Sequence, residues 1–285
     1  MQKIWKSILQ ILSRGGVPQH VGLIMDGNRR YARKINRKVF EGHKRGFEKL
    51  LVVMECFLIL KVRTVTVYAL SIENFKRSKD EVDQLLSLTE EKLKEMLDKE
   101  HFLRKEGVRI RILGKKSLLS DVLRDLIVKL EKATESNTNG TLNICLPYTS
   151  SHEISQAIES ISIDVSQGKV ASIQDIDDNL IERYLMTAPN PPVDVMVRTS
   201  GEKRLSDFLL WQSQNAIFEF KPILWPDMGP WEVVKTILLY RLHTLTQFLQ
   251  LKKYVRKEFI YLLFISLFYL LMLYRKQKQN KKQLV

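Results

Sequence analysis

Residues 20–31 read HVGLIMDGNRRY, and this stretch decides the class of the fold and the place of a site. Residues 20–25 form a short, largely apolar run with the length of a buried β-strand. The polar turn after this run contributes the first candidate residues: Asp26, Gly27, Asn28, Arg29 and Arg30. Glycine and asparagine tolerate positive φ, which lets backbone N–H groups converge on an anion. The stretch therefore predicts an anion site at the carboxyl end of a strand.

Working outward, the chain alternates between strand patterns and helix patterns. Strand patterns occupy residues 20–25, 63–70, 108–113, 141–146, 193–197 and, more weakly, 217–220. Helical apolar spacing is found over about residues 42–61, 79–106, 117–136, 151–168, 175–186, 204–214 and 230–250. Strands separated by helices favour right-handed βαβ units. We therefore predict an α/β fold with a largely parallel six-stranded sheet surrounded by helices.

Composition limits the functional classes. Of 285 residues, 45% are hydrophobic and 27% charged, which excludes a disordered chain, a collagen-like repeat and a polytopic membrane protein. The only cysteines, Cys56 and Cys145, lie inside apolar runs, which excludes a disulfide framework and favours a reducing compartment.

The positive charge is concentrated near the C-terminus. Residues 252–285 contain nine basic residues and one acid, so they carry +8 of the formal net charge of +14. The other residues show no zinc-finger spacing, RNP-type motif or long basic helix, so we expect anionic substrates and no nucleic acid.

Between the basic clusters, residues 259–274 read FIYLLFISLFYLLMLY and predict a hydrophobic helix. Its length of roughly 24 Å is short of a ~30 Å hydrocarbon core. It could span a thin bilayer, lie in the membrane surface or pack against a partner subunit. We expect membrane contact, because the flanking basic residues attract anionic lipids. Residues 1–13 predict a second, amphipathic helix.

Two more polar clusters follow predicted strands. Residues 71–77 read SIENFKR and residues 198–207 read RTSGEKRLSD, although helix capping explains part of each. With the first cluster they place five arginines at one sheet edge: Arg29, Arg30, Arg77, Arg198 and Arg204. We expect these arginines to be buried or half-buried, which requires an anion such as one or two diphosphates. Mg²⁺ bridging Asp26 to phosphate oxygens would explain a carboxylate among them.

Motifs for other chemistries are missing from the sequence. It contains no G-x-S-x-G, no GxxxxGK[ST] and no G-x-G-x-x-G. Asp175, Asp177 and Asp178 resemble an aspartate-rich metal motif, but we interpret them as charge at a helix N-terminus.

Five motifs together resemble the cis-prenyltransferase family, and within it the eukaryotic dehydrodolichyl diphosphate synthases. They are HVGLIMDGNRRYARK (20–34), FEGHKRGF (40–47), TVYALSIENFKR (66–77), VRTSGEKRLSDFLLWQ (197–212) and LWPD (224–227). The resemblance extends from about residue 18 to 231. It implies a parallel sheet whose surrounding helices enclose a hydrophobic tunnel.

The resemblance also implies a reaction. An allylic diphosphate, typically (2E,6E)-farnesyl diphosphate, loses diphosphate and is attacked by C4 of isopentenyl diphosphate. A proton leaves C2, and a cis double bond forms. Repeated condensation gives a long polyprenyl diphosphate, the precursor of the dolichol used in protein glycosylation.

By the same resemblance, Asp26 would hold Mg²⁺ on the diphosphates. The allylic diphosphate would contact Gly27, Asn28, Arg29, Arg30 and His43. The isopentenyl diphosphate would contact Arg77, Arg198, Arg204 and Ser206, and Ser71 and Glu73 are further substrate-binding candidates. Asn74 matches a position proposed to assist proton removal, although a diphosphate oxygen is a better base than an amide. Candidates for the tunnel wall, each equally compatible with ordinary core, are Phe47, Leu50, Leu51, Met54, Leu85, Leu88 and Leu93.

Two departures from the family pattern affect the metal and the partner. Bacterial members carry a metal-binding Glu where this chain has Ile217, so Glu219 is a weak candidate. Members active alone carry an Arg-x-Gly that is missing after Trp231. We therefore expect a Nogo-B-receptor-like accessory subunit to supply it.

These inferences divide the chain into an amphipathic segment (1–17), a catalytic domain (18–250) and a membrane-associating tail (251–285). They predict location at the endoplasmic reticulum membrane with the catalytic domain facing the cytosol, or on lipid droplets. Two alternatives stay open: a catalytically silent subunit, and a phosphate-binding regulatory module on a membrane.

Overall fold

The computed structural model describes residues 3–98, 106–170 and 172–251. Its centre is a six-stranded sheet in which every strand pairs in parallel, in the order β3-β4-β2-β1-β5-β6. The strands are β1 (His20–Ile24), β2 (Thr64–Tyr68), β3 (Val108–Leu113), β4 (Gly140–Cys145), β5 (Val195–Arg198) and β6 (Ile217–Phe220). All six correspond to predicted strands, so the predicted α/β fold is confirmed.

Helices connect the strands. They are α1 (Lys3–Leu12), α2 (Asn28–Lys34), α3 (Val39–Ile59), α4 (Lys79–Asp98), α5 (Asp121–Thr134), α6 (Ser150–Ser166), α7 (Asp178–Tyr184) and α8 (Pro230–Leu251). Asp177 caps α7 by accepting a hydrogen bond from the Leu180 N–H, as the helix-start interpretation of this aspartate predicted.

The prediction of a helix over residues 204–214 is wrong. This segment is a series of bends and turns, and Ser206, Asp207 and Leu209 have positive φ values of 53°, 58° and 47°. Left-handed residues cannot continue a right-handed helix. The apolar spacing that suggested a helix instead places Phe208 and Leu209 in a buried cluster with Tyr148 and Met196.

The sheet register explains why the three polar clusters meet. Strand β1 lies between β2 and β5, and Ile24 is the partner of Tyr68 on one side and of Arg198 on the other. Three neighbouring strands therefore end at the same level, and the loops that follow them share one edge of the sheet. Strand β1 is buried along its whole length, as expected for the middle of a covered parallel sheet.

Backbone packing separates two units, residues 1–240 and 241–285, and in the second only residues 241–251 are described. None of the described helices has the length and apolar character needed to cross a membrane. The hydrophobic helix predicted over residues 259–274 lies outside the described residues. The predicted domain boundaries stay predictions.

Candidate active site

One cavity of about 990 Å³ opens at the carboxyl edge of the sheet. All the catalytic and substrate-binding candidates line it: Asp26, Gly27, Asn28, Arg29, Arg30, His43, Ser71, Glu73, Asn74, Arg77, Arg198, Arg204 and Ser206. Its apolar wall is provided by α3, α4 and β4: Phe47, Leu50, Leu85, Leu88, Leu93, Met96 and Ile144. The cavity therefore joins a polar, cationic mouth to an apolar interior.

Asp26 is fixed at the mouth by side-chain and main-chain contacts. Its Oδ2 accepts a hydrogen bond from Arg198 Nη2 at 2.8 Å, and its Oδ1 lies 3.8 Å from Arg30 Nη2. Its main-chain oxygen accepts from Trp225 N–H at 3.0 Å and Thr199 Oγ1 at 2.6 Å. The carboxylate is thus oriented before any ligand binds.

The turn after Asp26 packs on α3 through glycines. Gly27 has a φ of 108°, a conformation that favours glycine. A Cβ at Gly42 would lie 2.2 Å from the main-chain oxygen of Asn28, and one at Gly46 would lie 2.3 Å from Asn28 Oδ1. Only glycine at both positions allows α2 to approach α3 this closely.

Arg29 and Arg77 share a partner that sequence reasoning missed. Glu81 Oε1 accepts from Arg77 Nη1 at 2.7 Å and from Arg29 Nη1 at 3.3 Å. The four-residue spacing between Arg77 and Glu81 at the start of α4 was the available signal. His43 lies in the same field, and burial together with Arg77 and Arg29 lowers its pKa to about 4. His43 is therefore neutral near pH 7, and its buried Nε2 has no hydrogen-bond partner among the described residues.

The third cluster is organised around Arg198. This side chain is only 4% exposed, and its Nη1 donates to Ser206 Oγ at 2.8 Å and to the main-chain oxygen of Arg204. Glu202, a second residue missed from sequence, pairs with both Arg30 and Arg204.

The expectation that all five arginines are buried or half-buried is wrong. Arg198 is buried and Arg77 half-buried, but Arg29, Arg30 and Arg204 are exposed. These three arginines can stay exposed because Glu81 and Glu202 pair with them, and ion pairs at an exposed rim need no desolvation.

Ser71 and Asn74 cap the short 3-10 helix Ile72–Lys76, rather than the helix before Asp80 and Glu81 that the capping alternative named, and both also line the cavity. Ser71 Oγ accepts from Glu73 N–H at 3.1 Å, and Asn74 Oδ1 accepts from Ser71 N–H at 3.1 Å, which forms a capping box. Because the Asn74 oxygen is engaged, its amide offers N–H donors rather than a base. The Glu73 carboxylate pairs with Lys76 at 2.5 Å.

The apolar wall corrects part of the tunnel prediction. Leu51 is 44% exposed and Met54 belongs to the core, so neither lines the cavity. The wall also includes an unpredicted cation, Lys92. Its Nζ binds Glu91 at 2.8 Å and Glu95 at 2.6 Å, and lies 5.5 Å from the centre of the Phe47 ring.

Asp26 also fits a magnesium site in which protein and substrate share the coordination of the ion. Mg²⁺ is usually held by one or two carboxylates together with substrate phosphates and water. Across the described residues, no three His, Cys, Asp or Glu side chains converge into a metal cage. A half-buried carboxylate among arginines is therefore suited to a metal that arrives with a diphosphate. The weaker candidate Glu219 lies outside the lining, where Lys221 Nζ and Thr236 Oγ1 each donate to it at 2.6 Å. Its role in metal binding stays a prediction.

The similarity to known proteins covers nearly the same part of the chain as the five motifs. The family described as putative undecaprenyl diphosphate synthase matches residues 24–246, well over half of the chain. The chain belongs to the cis-prenyltransferase family. The resemblance inferred from the five motifs is thereby confirmed.

Several relatives of this cis-prenyltransferase are named after an activity. It is 43% identical over 233 residues to the human dehydrodolichyl diphosphate synthase complex subunit DHDDS, covering 82% of this chain and 70% of the relative. The corresponding subunit from Schizosaccharomyces pombe is 39% identical, with 82% and 89% covered. A geranylgeranyl-diphosphate-specific tritrans,polycis-undecaprenyl-diphosphate synthase from Thermococcus kodakarensis is 40% identical, with 81% and 86% covered.

Solved structures agree with the fold. Lavandulyl diphosphate synthase from Lavandula x intermedia, in complex with dimethylallyl diphosphate, superposes with a TM-score of 0.74 at 31% identity, covering 79% of this chain and 95% of that one. A probable undecaprenyl diphosphate synthase from Campylobacter jejuni gives 0.66 at 28% identity, with 80% and 96% covered.

Proposed function

We propose that this cis-prenyltransferase is the catalytic subunit of a dehydrodolichyl diphosphate synthase. It condenses isopentenyl diphosphate units onto farnesyl diphosphate to make the long polyprenyl diphosphate from which dolichol is formed. The observation that carries the proposal is the cavity at the carboxyl edge of the sheet, because its cationic mouth suits two diphosphates and its apolar wall suits a hydrocarbon chain. Farnesyl diphosphate as the allylic substrate is part of this proposal and is tested against geranylgeranyl diphosphate, for which the archaeal relative is named as specific.

The reaction needs charge stabilisation more than a nucleophilic side chain. The allylic C–O bond breaks, and its electron pair leaves with the diphosphate. The π electrons of isopentenyl diphosphate form the new carbon–carbon bond at C4, and loss of the C2 proton creates the cis double bond. Arginines preorganised at the mouth stabilise the negative charge on the leaving group. The apolar wall keeps water from the allylic cation.

The residues divide between the two diphosphates. Arg29 and Arg30, with neutral His43 as a hydrogen-bond partner, bind the allylic diphosphate. Arg77, Arg198, Arg204 and Ser206 bind the isopentenyl diphosphate, next to Ser71 and Glu73. Asn74 donates an N–H to substrate, and a diphosphate oxygen accepts the C2 proton. Asp26 would hold Mg²⁺, which when bound would supply further neutralisation of the leaving diphosphate.

The proposal includes a partner subunit and a membrane. Residues 232–285 contain no Arg-x-Gly, and the eukaryotic relatives are named as subunits of a complex. A Nogo-B-receptor-like subunit would complete the site from its own C-terminus. The basic and hydrophobic residues 251–285 would hold the complex at the endoplasmic reticulum membrane, with the catalytic domain facing the cytosol and lipid droplets as a second location.

The test is incorporation of labelled isopentenyl diphosphate into polyprenyl lipid, with Mg²⁺ and either farnesyl or geranylgeranyl diphosphate. The chain is assayed alone and with a Nogo-B-receptor-like subunit. We expect activity with the partner only, and a higher kcat/KM for farnesyl diphosphate. Activity of the chain alone would contradict the partner requirement. Inactivity under both conditions would contradict the catalytic assignment and favour a silent subunit.

A further inference from the structure

The segment of residues 204–212 carries two of the proposed isopentenyl diphosphate ligands on a strained backbone. Ser206, Asp207 and Leu209 all have left-handed φ values, and none of them is glycine. Each such residue costs on the order of 1 kcal/mol, so the conformation persists only where the surroundings enforce it. The contacts that enforce this backbone conformation therefore help to position Arg204 and Ser206.

The first turn of α6 holds the middle of the segment. The main-chain oxygen of Asp207 accepts from Ser150 N–H at 2.8 Å, and its Oδ1 accepts from Ser151 N–H and Oγ at 3.0 Å each. Ser150 Oγ in turn accepts from Leu210 N–H at 3.0 Å. These bonds replace the helical hydrogen bonds that the segment lacks.

Glu153, on the same turn of α6, connects to the segment by two routes. Its Oε2 accepts a hydrogen bond from Gln212 Nε2 at 2.9 Å, at the end of the segment. The same oxygen accepts from the Tyr148 hydroxyl, and the Tyr148 ring packs edge-on against Phe208 with ring centres 6.1 Å apart. The Phe208 ring also stacks on Tyr68 at 4.6 Å.

Burying the Glu153 carboxyl group carries a desolvation cost that a purely structural position would not require. It is 1% exposed and does not line the cavity. Burial raises the pKa of Glu153, although its hydrogen bonds to Tyr148 and Gln212 lower it. An apolar side chain would usually serve stability at least as well in such a place.

We infer that Glu153 is a positioning residue for the isopentenyl diphosphate side of the site. It acts through Gln212 and Tyr148 to hold residues 204–212 in the conformation that presents Arg204 and Ser206. The inference rests on the proposed function, in which these two residues bind isopentenyl diphosphate.

The test uses the full chain assembled with its partner subunit. Glu153→Ala removes the acceptor, whereas Glu153→Gln keeps an oxygen that can accept from Tyr148 and Gln212. We expect Glu153→Ala to raise the KM for isopentenyl diphosphate by about tenfold or more, because small displacements of substrate ligands are costly. The KM for farnesyl diphosphate should change by less than about twofold, and Glu153→Gln should recover most of the loss.

A matched control separates positioning from general destabilisation. Thr134 is fully buried, and its Oγ1 accepts from Ile110 N–H at 3.0 Å and donates to the Leu130 oxygen at 3.0 Å, in α5 and outside the segment. Thr134→Val should lower thermal stability without changing either KM. If Glu153→Ala likewise lowers stability or kcat and leaves the KM for isopentenyl diphosphate unchanged, the inference is overturned.

Two additions keep the outcome decisive. If Glu153→Ala does not fold, Gln212→Leu removes the direct contact between Gln212 and Glu153 and should raise the same KM. If the wild-type complex makes no product, the proposed function fails, and calorimetric binding of inorganic diphosphate judges the inference instead. Weaker diphosphate binding by Glu153→Ala than by wild type and Thr134→Val supports it, and equal binding overturns it.

Discussion

The two sides of the mouth of this cis-prenyltransferase are built differently. On the α2 side, residues 26–30 form a turn and a helix that pack on α3 through Gly42 and Gly46, which lie fewer than 20 positions away in sequence. On the β5 side, residues 198–206 lead into an irregular segment held by α6, more than 50 positions away. The packing of α2 on α3 thus joins residues near in sequence, whereas the segment after β5 depends on contacts far apart in sequence; Asp26 itself is held by the distant residues Thr199 and Trp225.

Asp26 and Arg198 join the two sides. The carboxylate belongs to the turn after β1 and the buried guanidinium to the end of β5, and their hydrogen bond of 2.8 Å spans neighbouring strands. A change at Asp26 should therefore affect both sides, whereas changes farther out should affect one. The expected effects are therefore largest at Asp26 and smaller at residues that belong to one side.

The largest effect is expected for Asp26→Asn. The amide keeps the shape and can still accept a hydrogen bond from Arg198, but it loses the charge proposed to hold Mg²⁺. We expect kcat to fall by about 100-fold or more, as when a preorganised charge-stabilising group is lost. The melting temperature should change little. Prenyl-transfer kinetics and a thermal melt measure the two effects.

Asp26→Ala provides the comparison. It leaves the buried guanidinium of Arg198 without its carboxylate, which should cost about 3 kcal/mol of unfolding free energy in addition to the activity. Substantial turnover in Asp26→Asn, at Mg²⁺ concentrations that saturate the wild type, would show that the charge of Asp26 is dispensable.

A second, large effect is expected for Gly42→Ala. The added Cβ would meet the main-chain oxygen of Asn28 at 2.2 Å, and backbone cannot move away as a side-chain end can. We expect a loss of about 3 kcal/mol in unfolding free energy, and a KM for farnesyl diphosphate that rises more than the KM for isopentenyl diphosphate. Urea denaturation and kinetics provide the measurements.

Gly16→Ala is the matched control, because a Cβ there has no atom within 4 Å. It should change neither stability nor either KM appreciably. Equal behaviour of the two variants would mean that the close contact between α2 and α3 does not shape the allylic side.

Features set by local sequence patterns were predictable, whereas features set by contacts between distant residues were not. Strands, their polar carboxyl ends and the residues of the three clusters were predictable, because apolar runs and polar turns are local patterns. The candidate site residues of these clusters line one cavity because the order β2-β1-β5 brings three strand ends together. The exposure of Arg29 and Arg30 was not predictable, since their ion pairs with Glu81 and Glu202 join different elements, whereas Arg204 pairs with Glu202 in its own segment.

The segment of residues 204–212 shows where local reasoning fails. Leu205, Phe208 and Leu209 have helical spacing, but the segment is left-handed at three positions. Contacts with Ser150, Ser151 and Glu153 decide its conformation, and no pattern within the segment reveals them. Ionisable groups such as Lys92 in an apolar wall are similarly invisible until the helices are packed.

A medium effect is expected for the pH dependence of stability on the α2 side. Because the pKa of His43 is lowered from 6.5 to about 4, the unfolded chain binds more protons than the folded one between these values. This contribution to stability is complete above pH 6.5 and is lost as the pH falls through 4. At pH 5 the loss amounts to about 2 kcal/mol for one histidine.

His20 shows the same lowering to about 4, caused mainly by burial, but it lies at the opposite end of β1. The wild type should therefore lose part of the contribution of each histidine between pH 7 and 5, and His43→Asn should lose only about half as much. Denaturant titrations at a series of pH values make the measurement. An unchanged pH slope in His43→Asn would mean that His43 is not held neutral by burial and by Arg77 and Arg29.

The smallest effect is expected at Asp207 on the β5 side. Its Oδ1 accepts two hydrogen bonds from Ser151, and its φ of 58° is one that Asp and Asn tolerate better than other residues. Asp207→Asn keeps both features and should leave the kinetics within about twofold of wild type. Asp207→Ala loses both, so it should cost about 1–2 kcal/mol in stability. We also expect a rise of a few fold in the KM for isopentenyl diphosphate alone. A rise in the KM for farnesyl diphosphate of the same size would show that the two sides are not separate, because a perturbation confined to the α6 anchor would then have reached the α2 side through Arg198 and Asp26.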